Sequence, residues 1–480
     1  MHNTHCRNLL FIFILVLSGC SDKELDRELL RLIKYHQIEA NPIIDDGQQT
    51  ALIDSDEAQL GKLLFFSKTL SGQGDVACVS CHHPFLGGDD DLSLSVGVNP
   101  IDADTLGLAR QNLQGEILVP RNAPTTFNSS LWQKRLFHDG RVERINDLKD
   151  TPAQISTPDE RFGDIDSRAT SLVQAQAGFP VTSEHEMRSL YKDSSSNESL
   201  RAALVDNLVE SVYIKRKQSS NAITWRELFL NVYPQDENKD LHSLLNFDRV
   251  QHLLGQYEKS QIFVNTPWKK YLEGDINELS SSAKKGAILF YKTVEQGGAG
   301  CVTCHSGSFF TDEDFHVAGF PHVGTGIDIK DNDTGRFLRT GIPDDRYAFR
   351  TPGLINVEVT APYGHNGAFS TLSQVIKYHL DPELGIKEFD FTLNHLSQRG
   401  IDNTNSIVHS NKALAQYVKA QTQGISKFEK TKLSEEEVSR LVDFIHSLTD
   451  PCVKEIECLK PWVPDASDIN PDDNILYIKL

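Results

Sequence analysis

At 480 residues, with 39% apolar and 24% charged side chains, the chain has room for roughly three domains of about 150 residues each. Its composition excludes a fibrous chain, a polytopic membrane protein and a wholly disordered one. Acidic residues outnumber basic ones by 67 to 48, a net charge of −19, which opposes a nucleic-acid backbone as partner and is compatible with a basic protein partner.

The chain opens with an address. His2, His5 and Arg7 precede an apolar run from Leu9 to Leu17. Crossing a bilayer takes about 20 apolar residues, so this run is too short to span one and has the make-up of a secretory signal with small residues before the cut. Its ending, Leu17-Ser18-Gly19-Cys20, resembles a bacterial lipoprotein box. That resemblance makes residues 1–19 the signal peptide and Cys20 the lipidated first residue. With Ser21 next, it implies anchoring on the periplasmic side, in the outer membrane. Residues 20–50 are polar and charged and read as a tether.

The cysteines sort by position. Cys6 leaves with the signal. Cys452 and Cys458, in DPCVKEIECLKPW, are close enough for an easy disulfide in an exported chain. The remaining four form Cys78-Val79-Ser80-Cys81-His82 and Cys301-Val302-Thr303-Cys304-His305. Both are C-x-x-C-H, the attachment pattern of a c-type haem. The cysteines bond the haem vinyl groups and the histidine binds iron. A zinc site built from both pairs would leave two histidines without a role.

The surroundings of these motifs repeat. Leu60-Gly61-Lys62-Leu63-Leu64-Phe65 precedes the first and Lys285-Gly286-Ala287-Ile288-Leu289-Phe290 the second, both with the pattern of short amphipathic helices. Arg121-Asn122-Ala123-Pro124, Asn128 and Phe137-His138-Asp139-Gly140 follow the first. Arg350-Thr351-Pro352, Asn356 and Tyr363-Gly364-His365-Asn366-Gly367 follow the second. Two copies of one haem-binding unit is the economical reading. The expected fold is mainly α, with two cytochrome c-like haem domains packed together and long irregular loops. The divisions are 51–275 for the first haem domain, 276–450 for the second and 451–480 for a C-terminal extension, with the linker near Asn265-Thr266-Pro267 and the Gly274 region.

The sequence resembles the bacterial di-haem cytochrome c peroxidase and MauG-type family over about residues 50–450. The resemblance rests on both C-x-x-C-H motifs, Arg121–Pro124, Phe137–Arg141, Phe179-Pro180-Val181-Thr182-Ser183 through Glu186-Met187, and Thr360-Ala361-Pro362-Tyr363 through Gly367. It implies two covalent haem c groups, a first haem that reacts with hydrogen peroxide and a second that relays electrons. It also implies a calcium ion between the domains, held by the Asn122 side chain and the carbonyls of Thr360 and Pro362, with waters completing the shell.

The two irons are expected to differ. His82 and His305 are the proximal ligands by motif. His379 stands where the family's peroxidases carry methionine and MauG carries tyrosine. Methionine occurs only as Met1 and Met187, and Met187 belongs to another motif. The second haem is therefore expected to be bis-histidine, His305 and His379, with Tyr378 the runner-up. Between His83 and His138 there is no His, Met or Cys, and His83 adjoins the proximal ligand, so the first haem is expected to be open. By the resemblance, Glu186 is the distal acid–base group, with Glu184 and His185 nearby alternatives. His138 takes the inter-haem place where the family commonly has tryptophan, and Trp132 lies close in sequence.

The leading expectation is an exported peroxidase that reduces hydrogen peroxide with electrons from a small cytochrome or cupredoxin. The competing ones are a MauG-like enzyme that oxidises a side chain of a partner protein, and a non-enzymatic di-haem electron carrier.

Overall fold

The computed structural model describes residues 22–40, 52–150, 152–168, 170–191, 196–219, 221–327, 332–465 and 467–477. Cys20 and the signal lie outside them. Among the described residues no helix is long and apolar enough to cross a membrane.

Two helix pairs carry the architecture. Asp56–Phe66, capped by the Ser55 side chain, buries Leu60, Leu64, Phe65 and Phe66 and crosses Phe247–Lys259, capped by Asn246. Ser281–Tyr291, capped by Ser280, crosses Glu435–His446, capped by Ser434. Each crossing needs a glycine, because the backbones touch there. A Cβ on Gly61 would lie 2.0 Å from the Leu253 carbonyl oxygen, and one on Gly286 would lie 1.8 Å from that of Arg440. These contacts align the repeats further: Tyr257 beside Gly61 corresponds to Phe444 beside Gly286. One residue on, Glu258 corresponds to Ile445.

Between the helices the chain is mostly loop, single 3₁₀ turns and two small antiparallel sheets. Arg135–Leu136, Val142–Arg144 and Ile155–Ser156 form one sheet. Phe315–Val317 and Ala348–Arg350 form the other.

The first core runs from Ile53 to Phe263, and the second is built around Trp268, Tyr291 and Phe444. The chain therefore passes from one to the other at 264–267. The helix Pro267–Leu272 differs from the 51–275 division: Trp268 stacks with Tyr291 and meets Phe444 edge-on, inside the second core.

Both ends of the chain cross over. Residues 22–35, expected as part of a tether, form a helix docked on the second haem domain. Leu25, Leu29, Leu32 and Ile33 recur at helical spacing and pack there. Asp26 pairs with Lys284 at 2.7 Å and accepts from the Tyr271 hydroxyl at 2.9 Å. The C-terminal segment returns to the first domain, where Val453, Leu459, Trp462, Ile475 and Leu476 join its core. The Tyr257 hydroxyl donates to the Trp462 carbonyl at 2.7 Å. Cys452 and Cys458 form a disulfide with their Cα atoms 5.4 Å apart.

Candidate haem sites

The first site is a cavity lined mostly by the first domain. Cys78, Cys81 and His82 lie on its wall with Phe65, Val76 and Leu254. The Cys78–Ser80 3₁₀ turn presents the cysteines. Burial pushes the Cys78 thiol up to about 12 and, with Asp90 nearby, raises Cys81 as well. Burial lowers His82 to about 4. Its Nδ1–H donates to the Gly88 carbonyl at 3.3 Å, a bond that orients the ring. An apolar hollow with two thiols and one oriented imidazole on its wall fits a covalently held haem. His83 is turned elsewhere: its Nδ1 accepts from the Phe85 amide at 3.0 Å, and its ring packs against Phe66 and Phe85.

Glu186 and Met187 also line this cavity. They come from a single π turn, Glu184–Arg188. Gly97 runs directly beneath, where a Cβ would lie 2.1 Å from the His185 carbonyl oxygen and 2.6 Å from that of Glu186. Burial raises the Glu186 carboxyl above its usual range, against the opposing pull of Arg141 and the Ser183 hydroxyl. Glu184 is exposed and reaches Arg188 at 3.5 Å. His185 is not on the wall.

At the second motif, His305 donates from Nδ1 to the Phe310 carbonyl at 2.9 Å. His379, on the helix Leu372–Leu380, donates from Nδ1 to the Val375 carbonyl at 2.7 Å. Burial lowers His305 to about 4 against its hydrogen bond to Phe310, and the neighbouring His379 adds to the lowering. Burial lowers His379 too. Two imidazoles near each other, each with Nδ1 committed to a carbonyl, suit the two faces of one haem. Tyr378 points into the core instead. It is 3% exposed, packs on Phe320 and Phe369, and its hydroxyl donates to the Gly319 carbonyl.

The wall between the domains is polar and paired. Arg121 grips Asp333 of the second domain, Nε to Oδ2 at 2.6 Å and Nη2 to Oδ1 at 2.8 Å, and reaches Asp139 at 2.7 Å. His138 lines the first cavity and donates from Nε2 to the Asn122 carbonyl at 3.0 Å. Trp132 lines it too. Its ring lies 4.5 Å from the Arg350 guanidinium, and a Cβ on Gly353 would strike it at 2.6 Å. Trp132 thus packs across the domain contact, against Arg350 and Gly353.

Asn122 is 7% exposed. Its side-chain N–H donates to the Leu92 carbonyl at 2.9 Å, so Oδ1 is the atom left for a hard cation. Its backbone N–H donates to the His365 carbonyl at 2.9 Å, which ties its segment to the one that carries Thr360 and Pro362.

Sequence reasoning missed two residues of these sites. Asp333 follows no motif. Glu258, on the first cavity's wall, occupies a helix position that reads as solvated.

Residues 55–277 match a family model described as di-haem cytochrome c peroxidase. Over 324 residues the chain is 29% identical to cytochrome c551 peroxidase from Nitrosomonas europaea, covering 68% of this chain and 72% of that one. Over 351 residues it is 24% identical to methylamine utilization protein MauG from Methylorubrum extorquens, covering 72% and 76%. The fold is similar to that of a MauG-like protein associated with microbial copper homeostasis, with TM-score 0.53, 20% identity and coverage of 84% and 92%. It is also similar to the diheme peroxidase BthA from Burkholderia thailandensis, with TM-score 0.51, 17% identity and coverage of 88% and 91%. Taken with the two attachment motifs, these likenesses place the chain beside the di-haem cytochrome c peroxidase and MauG family of oxidoreductases, to which it is similar.

Proposed function

We propose that the cavity at Cys78, Cys81 and His82 is the peroxide site, that Glu186 is its acid–base group, and that the haem held by Cys301, Cys304, His305 and His379 relays electrons to it. The haems supply the iron at which hydrogen peroxide is reduced and the redox couple that passes electrons. The chain supplies proton handling. A carboxyl raised by burial can take a proton from arriving peroxide and return it to the departing oxygen. The observation that carries this reading is that Glu186 shares a wall with His82, while Glu184 and His185 do not.

A small cytochrome or cupredoxin is the electron donor in this reading. A calcium ion at Asn122 Oδ1 and the carbonyls of Thr360 and Pro362 braces the domain contact. The protein works on the periplasmic side, anchored through lipid on Cys20 to the outer membrane.

One observation favours the second reading, oxidation of a side chain on a partner protein. His379 neighbours His305, whereas Met187, the methionine among the described residues, lines the first cavity; a haem held by these two histidines would have a lower potential than one with a methionine ligand. That makes the haem a poorer acceptor from high-potential donors.

The test is to titrate the diferric, fully loaded protein with hydrogen peroxide and then add reduced cytochrome or cupredoxin. Steady turnover supports the peroxidase. A persistent oxidised state that donors fail to discharge, and that a partner protein does, supports the second reading. No spectral response to peroxide sinks both and leaves an electron carrier.

A further inference from the structure

Aligned on the two helix crossings, residues 248–259 of the Phe247–Lys259 helix pair with the twelve of Glu435–His446. Where the second domain carries Ile445, 6% exposed in its core, the first carries Glu258. Glu258 is 7% exposed and, with Leu254 one turn earlier, lines the first cavity beside Cys78.

We propose that Glu258 is the redox-linked proton site of the first haem: its carboxyl takes up a proton when that haem is reduced and releases it when the haem is oxidised. The balance is one electron and one proton. Ferric haem with the Glu258 carboxylate, plus an electron from the donor and a proton from solvent, gives ferrous haem with the Glu258 acid.

Three observations carry this. Glu258 is buried on the wall of the space a haem would fill, so a change of one charge on the iron would act on it through a medium of low dielectric. Its surroundings offer no compensation. On the facing helix, Lys62 turns away to Asp468 at 3.8 Å. Tyr257, its neighbour, donates to Trp462. Cys78 becomes a thioether. Burial alone, with no opposing cation, raises Glu258 to about 8, within reach of a proton exchange near neutral pH. Finally, the equivalent place in the second domain holds a side chain that cannot titrate. The linkage is therefore confined to one haem, and by reciprocity the proton shifts the potential as the electron shifts the proton.

The proposal needs a haem in the cavity but no peroxide chemistry, so it stands or falls apart from the peroxidase reading. The experiment is a spectroelectrochemical titration of the protein with both haems attached, from about pH 6 to about pH 9. The potential of the first haem should fall with rising pH, approaching about 59 mV for each tenfold change in proton activity, while that of the second follows no such line. The reduced-minus-oxidised infrared spectrum should gain a protonated-carboxyl band that shifts on carbon-13 labelling of glutamate. Glu258→Gln and Glu258→Ile, the latter copying the second domain, should remove both signals. A band that label does not move overturns the proposal without any variant. So does a slope that survives in either variant with two haems attached, which passes the role to Glu186, to the haem propionates, or to Asp90, itself raised to about 7 by burial on the Cys81 side.

Discussion

Asn128 and Asn356, equivalent positions of the two repeats, donate from their side-chain amides to one and the same acceptor, the carbonyl of Phe263, at 3.0 and 2.8 Å. Both sit in the left-handed region, at φ 60 and 66, which asparagine tolerates better than most residues. Asn128 also accepts from the Phe263 amide at 2.7 Å, and Asn356 from the Asp450 amide at 2.9 Å. The loops that follow the two haem motifs are thereby fixed to a single backbone atom where the domains meet. Replacing Asn356 by Ala leaves the Asp450 N–H without this acceptor in a buried place, and should cost about 2 kcal/mol, read as a lower urea midpoint with an unchanged denaturant slope.

Glu186→Gln should keep both haems and slow the reaction with peroxide by a factor on the order of 10² or more, the usual scale of one acid–base group. Glu184→Gln, whose carboxylate is at the surface with Arg188, should change the rate little. Stopped-flow spectra of the two variants side by side decide the matter. A normal rate in Glu186→Gln would move the role off this residue.

His379→Ala should turn the second haem from low spin to high spin and leave the first as it was, read by electron paramagnetic resonance of the diferric protein. Tyr378→Phe should leave the spectrum unchanged, since that hydroxyl is bonded to Gly319. An intact low-spin signal in His379→Ala would mean another side chain holds the iron.

The contact between the domains should weaken in acid. Burial alone would raise Asp139 and Asp333, but Arg121 beside them outweighs it and holds both below the usual carboxylate range. Their folded pKa values lie below the unfolded ones. The stability they contribute is therefore complete above about pH 4, the ordinary carboxylate value, and is lost as pH falls from there through the folded values. Asp333→Asn should cost about 3 kcal/mol at neutral pH, because it breaks one arm of a buried pair. It should also flatten part of the acid limb of a stability-versus-pH curve.

What the sequence discloses is what is local and covalent. C-x-x-C-H announces a haem without help from the rest of the chain, and Gly61 and Gly286 stand at matching offsets because a helix crossing admits nothing larger. Glu186 was legible only through its family motif; in isolation it is one acid among many. Asp333 and Glu258 were not legible at all. Their roles come from what faces them after folding, across 212 positions of chain in the case of Asp333 and Arg121. The helix 22–35 was misjudged for a different reason. Its eight charges outweigh its five aliphatic residues by count, and only the spacing of Leu25, Leu29, Leu32 and Ile33 shows a face to bury. Trp132 was visible but unplaced, because its packing on Arg350 depends on the path of the loop rather than on alignment with a motif.

The crossed ends of the chain have a consequence for how this protein can be taken apart. The first stretch of the described chain completes the second haem domain, and the last completes the first. Neither lobe corresponds to a continuous piece of polypeptide. A cut at the 264–267 passage would leave one half without its opening helix and the other without the strap that holds Trp462 against Ser260. During synthesis the first lobe must also wait for the final residues before its core is closed. Loss of the tail would then register at the haem farther from it in sequence, and loss of the opening helix likewise. A damaged terminus would reveal itself spectroscopically at the opposite motif.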